Sequence, residues 1–206
     1  MTSRVRGTFA LFVFSALALI APASTALAGK DDTSEGWVSL FDGKTLSGWT
    51  TADGTPGNWV VKDGAITCSG NASHLFSPRG DYKNFRFKAE VMINDGGNSG
   101  QYFRTQKGPG FPKGYEAQIN STHRDPVKTG SLYNHVPVKK ILVPPDTWFT
   151  QEVEAVGNHI IIKVNGETTV DYKDPKNSFT SGHFAFQFHD PTCKVKIRKI
   201  EVKELP

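Results

Sequence analysis

The chain predicts an all-β sandwich, and three observations carry that prediction. Roughly a dozen short runs alternate apolar and polar residues with a period of two. Gly, Pro, Asn and Asp separate the runs, and two pairs, Asp63-Gly64 and Asn165-Gly166, are two-residue hairpin signals. Beyond the N-terminal segment, no stretch convincingly repeats apolar residues at the period of a helix. Short strands, regular turns and one core's worth of residues make an all-β sandwich.

The N-terminus predicts a targeting segment. Arg4 and Arg6 precede an apolar run from Phe9 to Ile20, broken only by Ser15, and Ala26-Leu27-Ala28 is a small-residue cleavage site. The run is too short for a comfortable membrane span, and no Cys follows it to take a lipid anchor. Residues 1–28 therefore read as a signal peptide that is removed, 29–35 as a polar leader, and 36–206 as one domain that is secreted or periplasmic. Removal lowers the net charge from +4 to +2, because both lost charges are arginines. So small and dispersed an excess argues against a nucleic-acid partner. Cys68 and Cys193 are the two cysteines. Export permits a disulfide between them, and two small buried thiols are the other option. No Cys/His spacing typical of a metal site is present.

The strands follow in order. Asn58 to Cys68 is a hairpin about Asp63-Gly64. Asn84 to Ile93 sets Phe85, Phe87, Ala89, Val91 and Ile93 against Arg86, Lys88, Glu90 and Met92. Ser99 to Arg104 puts Tyr102 and Arg104 on the face of Gly100. Gly114 to Asn120 sets Tyr115, Ala117 and Ile119 against Glu116, Gln118 and Asn120. Trp148–Val156, His159–Val164, Thr168–Tyr172, His183–His189 and Lys194–Glu204 continue the pattern. In the His183–His189 run, Phe184, Phe186 and Phe188 oppose Ala185, Gln187 and His189.

The strand at 114–120 carries the strongest functional signal. An ordinary surface strand mixes Lys, Thr, Ser and Glu, whereas this one lines up a carboxylate and two carboxamides with no cation. If its neighbours share one sheet, Glu90, Arg104, Glu116, Gln118, Gln187 and His189 form a polar patch suited to hydroxyl-rich ligands. The remaining histidines, His74, His123, His135, His159 and His183, show no partners in the sequence and read as structural or solvated. Loops 105–113 and 134–146, rich in Gly and Pro, are candidates for the rim of a site.

Several motifs, in order, carry a resemblance: Leu40-Phe-Asp-Gly-Lys-Thr-Leu-Ser-Gly-Trp49, Trp59-Val-Val-Lys-Asp-Gly64, Gly96-Gly-Asn-Ser-Gly100 with Phe103-Arg104, Gly114-Tyr-Glu-Ala-Gln-Ile119, Thr129-Gly-Ser-Leu-Tyr133 and Gln187-Phe-His189. Over roughly 37–205 the chain resembles the 3-keto-disaccharide hydrolase domain family. The resemblance implies a concanavalin A-like jelly roll acting on 3-keto-glycosides. It implies a site at Asn98, Arg104, Glu116, Gln118, Tyr133 and His189. Where the family pattern has Asp shortly after Gln-Ile, this chain has Asn120 and Ser121.

A ketone at C3 acidifies the hydrogen on C2, so a base can start β-elimination of the C1 substituent, and water then adds back. On this reading His189 or Glu116 is the base and Arg104 stabilises the enolate, alone or with a divalent cation such as calcium. No cofactor is required by the sequence. Asn98, Gln118, Tyr133 and Gln187 orient hydroxyls, with Glu90 at the edge of the patch. An oligosaccharide or 3-keto-glycoside is the expected partner. Two alternatives stand beside it: a non-catalytic carbohydrate-binding module, and an ordinary two-carboxylate glycosidase whose only candidate pair is Glu90 and Glu116.

Overall fold

The alternating runs form strands where the sequence expects them, and several, such as Phe85–Met92 and Phe149–Val156, bury one face only. The computed structural model describes residues 1–2, 35–52 and 57–206. All of the signal peptide but Met1 and Thr2, and all of the polar leader but Glu35, lie outside the described residues.

The described strands are β1 (Val38–Ser39), β2 (Thr50–Thr51), β3 (Asn58–Lys62), β4 (Ala65–Ser69), β5 (Ser73–Phe76), β6 (Phe85–Met92) and β7 (Ser99–Thr105). They continue with β8 (Tyr115–Ile119), β9 (Phe149–Val156), β10 (His159–Val164), β11 (Glu167–Lys173), β12 (His183–Phe188) and β13 (Lys196–Glu204). One sheet has the order β11-β10-β9-β6-β13-β4-β3, with β1 on β13; the other has the order β2-β5-β12-β7-β8. All pairings are antiparallel. Asp63-Gly64 and Asn165-Gly166 close their hairpins with positive φ at all four residues, as a type I′ turn demands.

The core lies between the sheets. Phe85, Phe87, Val91, Phe149, Val153 and Ile197 meet Phe103, Tyr115, Phe184, Phe186 and Phe188 there. Phe87 stacks on Phe184 with ring centroids 3.9 Å apart. Such burial is the main stabilising contribution, and it fixes register, since a one-residue slip would send every apolar side chain to solvent.

The five-stranded sheet also has a structured outer face. A second small apolar cluster sits there, made of Ala52, Phe76, Tyr102 and Ala185. Beside it stand the polar side chains of β8, β12 and β7. The segment 129–133 runs along the free edge of β8: Gly130 N–H donates to Gln118 O and Tyr133 N–H to Glu116 O. Edge groups that would otherwise face water are thereby paired.

Candidate functional site

Glu116 and Tyr102 are cross-strand partners, and Gly100 partners Gln118. The Tyr102 hydroxyl donates to Glu116 Oε2 at 2.8 Å, and Gln187 Nε2 donates to the Tyr102 oxygen at 3.2 Å. Gly100 makes room for the carboxylate, since a Cβ there would lie 2.2 Å from Glu116 Oε1. Protein surrounds Glu116 on nearly every side, although the residue keeps partial exposure toward the hollow. This burial pushes its pKa up to about 8; the Tyr102 hydrogen bond opposes the shift and the charge of Asp125 adds to it. Glu116 is thus a carboxylic acid that holds its proton at neutral pH.

A chain of hydrogen bonds fixes the orientation of the amides. Asp125 N–H donates to His123 Nδ1 at 3.2 Å, so that nitrogen is an acceptor. The group of Asn98 facing the same nitrogen, 3.3 Å away, is therefore its NH2. Asn98 Oδ1 then accepts from Gln118 Nε2 at 3.0 Å. What remains is Gln118 Oε1, on a side chain only 1% exposed, buried and without a partner. A buried acceptor left open in this way costs about 1–3 kcal/mol unless a donor arrives. His74 Nε2 is likewise buried and unpartnered, on β5 directly across from Gln187.

Loop residues complete the wall. Asn120 folds the turn after β8: its Oδ1 accepts from His123 N–H, and its Nδ2 donates to Asp125 O and Val127 O. This turn carries Asp125 to the hollow, where the Tyr133 hydroxyl donates to Asp125 Oδ2 at 3.4 Å. His189 Nδ1 lies 2.9 Å from Asp190 Oδ2. Asp190 also accepts from Thr192 N–H and Oγ1–H, and these bonds hold its pKa down to about 2 against the opposing effect of burial. A carboxylate only accepts, so His189 carries its proton on Nδ1 when neutral and keeps Nε2 as a base.

The result is two joined hollows. The narrow one, about 100 Å³, is lined by Asn98, Phe111, Glu116, Gln118, Asp125, Tyr133, Gln187 and His189. The wider one, about 460 Å³, shares Phe111, Glu116 and Tyr133 with it. Six of the eight residues expected at the site from sequence come together here: Asn98, Glu116, Gln118, Tyr133, Gln187 and His189.

Arg104 and Glu90 lie elsewhere. At Arg104, φ is +48°, and the pairing of β7 with β12 shifts register between His183 and Ala185. This β-bulge turns the side chain off the Tyr102 face. Gly182 permits it, since a Cβ there would meet Arg104 C at 2.5 Å. The guanidinium is buried and donates to Lys83 O, Gly157 O and Phe179 O. Glu90 stands on β6 of the other sheet, on its outer face, bonded to Arg198 Nε at 2.7 Å and Lys199 Nζ at 2.6 Å. Glu90 and Glu116 therefore occupy opposite outer faces and cannot share a glycosidic bond. Cys68 and Cys193 are buried free thiols, so the bridge is not formed. Burial pushes them up to about 12 and about 11. Among the described residues, no three His, Cys, Asp or Glu side chains gather to hold a metal ion.

Residues 36–203 match the sequence model of the 3-keto-alpha-glucoside-1,2-lyase-like domain. The chain belongs to this family. Within the curated proteins, the 3-keto-disaccharide hydrolase of Bacteroides thetaiotaomicron is 25% identical over 172 residues, covering 67% of this chain and 59% of that protein. The chain thus spans less than two thirds of the relative's length. A crystal structure from Parabacteroides distasonis, provisionally classed as a glycosyl hydrolase, superposes with a TM-score of 0.72 at 26% identity, over 86% of this chain and 97% of that one. A carbohydrate-binding module of Bacillus subtilis shares the fold at a TM-score of 0.57 and 18% identity, over 76% and 96%. The family and these neighbours are carbohydrate-related, and the jelly-roll expectation holds.

Sequence reading missed His74, Phe111, His123, Asp125 and Asp190. Asp190-Pro-Thr192 follows His189 directly and could have been read as an Asx turn orienting the histidine. Asp125 and His123 depend on a turn that only the buried side chain of Asn120 defines.

Proposed function

We propose that this protein cleaves 3-keto-glycosides by elimination and hydration, with the sugar in the narrow hollow. Support comes first from one geometric relationship: Glu116, buried so that its neutral acid form is favoured, lines the same polar hollow as His189, whose Nδ1 is turned to Asp190 and whose Nε2 is left to act as the base. His189 takes the C2 hydrogen as a proton. The C1–O bond breaks, its electron pair leaves with the oxygen, and Glu116 protonates that oxygen. The sugar is left with a C1=C2 double bond conjugated to the C3 ketone. Water then adds its hydroxyl to C1 and a proton to C2, giving the free 3-keto sugar. General acid and base steps of this kind contribute about 10²–10⁴-fold each.

With Arg104 elsewhere, the enolate oxygen falls to neutral donors near His189. His123 is one of them: its Nδ1 accepts, so its proton is on Nε2, and burial keeps its pKa below the usual value. Gln118 Oε1 accepts a sugar hydroxyl, which relieves the unpaired acceptor. Export through the N-terminal segment fits a role outside the cytoplasm.

The test incubates the purified protein with methyl glucoside and methyl 3-keto-glucoside. Release of methanol from the keto form alone is the expected result. Cleavage of the unoxidised glucoside would make Glu116 and Asp125 an ordinary glycosidase pair instead. Saturable binding of both without turnover would favour the second reading, a carbohydrate-binding module, which the shared fold of the Bacillus subtilis module supports.

A further inference from the structure

The wider hollow has a different chemistry from the narrow one. Its walls are Tyr102, Phe111, Pro112, Tyr133, His135 and Phe179, with Gly114 and Asn134 at the margin. Among the described residues Glu116 is its only carboxylate, and Glu116 also lines the polar hollow. The two phenols of the wall are already engaged, Tyr102 with Glu116 and Gln187 and Tyr133 with Asp125. A second sugar placed here would have only Glu116, Asn134 and His135 left to pair its hydroxyls, and unpaired buried hydroxyls oppose binding. A flat apolar group needs no hydroxyl partners and gains contact with Tyr102, Phe111, Tyr133 and Phe179.

The aromatic wall is also built to stay in place. Phe179 stands edge-on to Tyr115 at 5.1 Å and 90°. Its carbonyl accepts from Arg104 and its N–H donates to the Tyr115 hydroxyl. That hydroxyl in turn donates to Asp174, which accepts the N–H groups of Lys176 and Ser178. His135 is set between Tyr115 and Tyr172, with ring centroids at 5.7 and 5.4 Å. Phe111, 74% exposed, sets its ring at the outer rim, with centroids 6.1 Å from His74 and 6.4 Å from His189.

We infer that the wider hollow is a leaving-group subsite selective for flat, apolar, aromatic aglycones over a second sugar. The inference rests on the function proposed above, because Glu116 sits at the junction where the broken bond would lie. Arg104, absent from the chemistry, serves this subsite as the clamp on Phe179.

Benzyl and methyl 3-keto-glucosides test the subsite cleanly, because benzyl alcohol and methanol are leaving groups of nearly equal acidity. Burial of the phenyl ring is expected to raise kcat/KM for the benzyl compound about 10- to 100-fold over the methyl one, through KM. A 3-keto-disaccharide, compared by binding constant because its leaving group is more acidic than methanol, should not bind tenfold more tightly than the methyl compound. Phe111→Ala and Phe179→Ala should each collapse the benzyl-to-methyl ratio toward one; Phe111 is exposed, so its removal does not threaten folding. Equal constants for benzyl and methyl, or tenfold tighter binding of the disaccharide than of the methyl compound, overturn the subsite. If none of the three is turned over, the proposed function fails, and calorimetric binding of the same compounds still decides the subsite. Tighter binding of the benzyl compound, lost in Phe111→Ala, upholds it, and equal binding overturns it.

Discussion

Tyr102 and Glu116 face each other across the β7–β8 pair, and the phenol donates a 2.8 Å hydrogen bond to the carboxylate. The bond favours the charged form of Glu116, yet burial outweighs it and the acid stays protonated to about pH 8. Tyr102→Phe removes the opposing effect. The alkaline limb of the kcat profile should therefore move to higher pH, by roughly one unit. A limb that moves down, or does not move, would detach Glu116 from that limb.

The same burial couples Glu116 to stability. Below its usual value near 4.5 the side chain is protonated whether the chain is folded or not, and no difference arises. Between that value and about 8 the folded state keeps a proton that the unfolded state has lost, so stability falls as pH rises. Glu116→Gln cannot titrate. Its stability relative to the native protein should improve by on the order of a few kcal/mol between pH 5 and pH 9. Urea midpoints at the two pH values check this, and parallel midpoints would contradict it.

Gly100 matters for space rather than backbone freedom. Gly100→Ala would place a methyl 2.2 Å from Glu116 Oε1, so the carboxyl must turn away from Tyr102. Turnover should drop about 100-fold and the melting temperature should fall as well, because Glu116 Cδ at 2.8 Å and Cγ at 2.9 Å must also shift within a packed site. Unchanged turnover would mean that the carboxyl position is not critical.

Arg104 is expected to behave as a structural residue. Arg104→Lys leaves one ammonium where a guanidinium reached Lys83 O, Gly157 O and Phe179 O. The loss should be about 3 kcal/mol, lowering the melting temperature by roughly 10 °C. The folded fraction should still turn over methyl 3-keto-glucoside. Lost turnover at an unchanged melting temperature would return Arg104 to the chemistry.

These residues also mark what alternation reveals and what it hides. Period two placed Glu116, Gln118, Gln187 and His189 on one outer face, because β8 and β12 run without interruption there. It failed at Arg104, where a single bulge reversed the face; no residue type announces a bulge when Arg itself adopts the positive φ. It missed His74 because β5 is four residues long and buried on both faces, so nothing alternates. It grouped Glu90 with Glu116 because both alternate correctly, and the sheet to which a strand belongs is set by topology rather than by local pattern. The motif order did reveal the family, since six weak motifs in sequence constrain more than any one of them. Asp125 and His123 stayed hidden in a turn whose shape comes from the buried Asn120 side chain.

The central claim is that the bond at C1 breaks by removal of the C2 hydrogen. Turnover of methyl 3-keto-glucoside in D2O, followed by mass spectrometry and NMR of the sugar, tests it most directly. Elimination followed by hydration delivers one solvent deuterium to C2 of the product in each turnover, beyond the exchange seen without protein. A product that retains its original hydrogen at C2 would contradict the account.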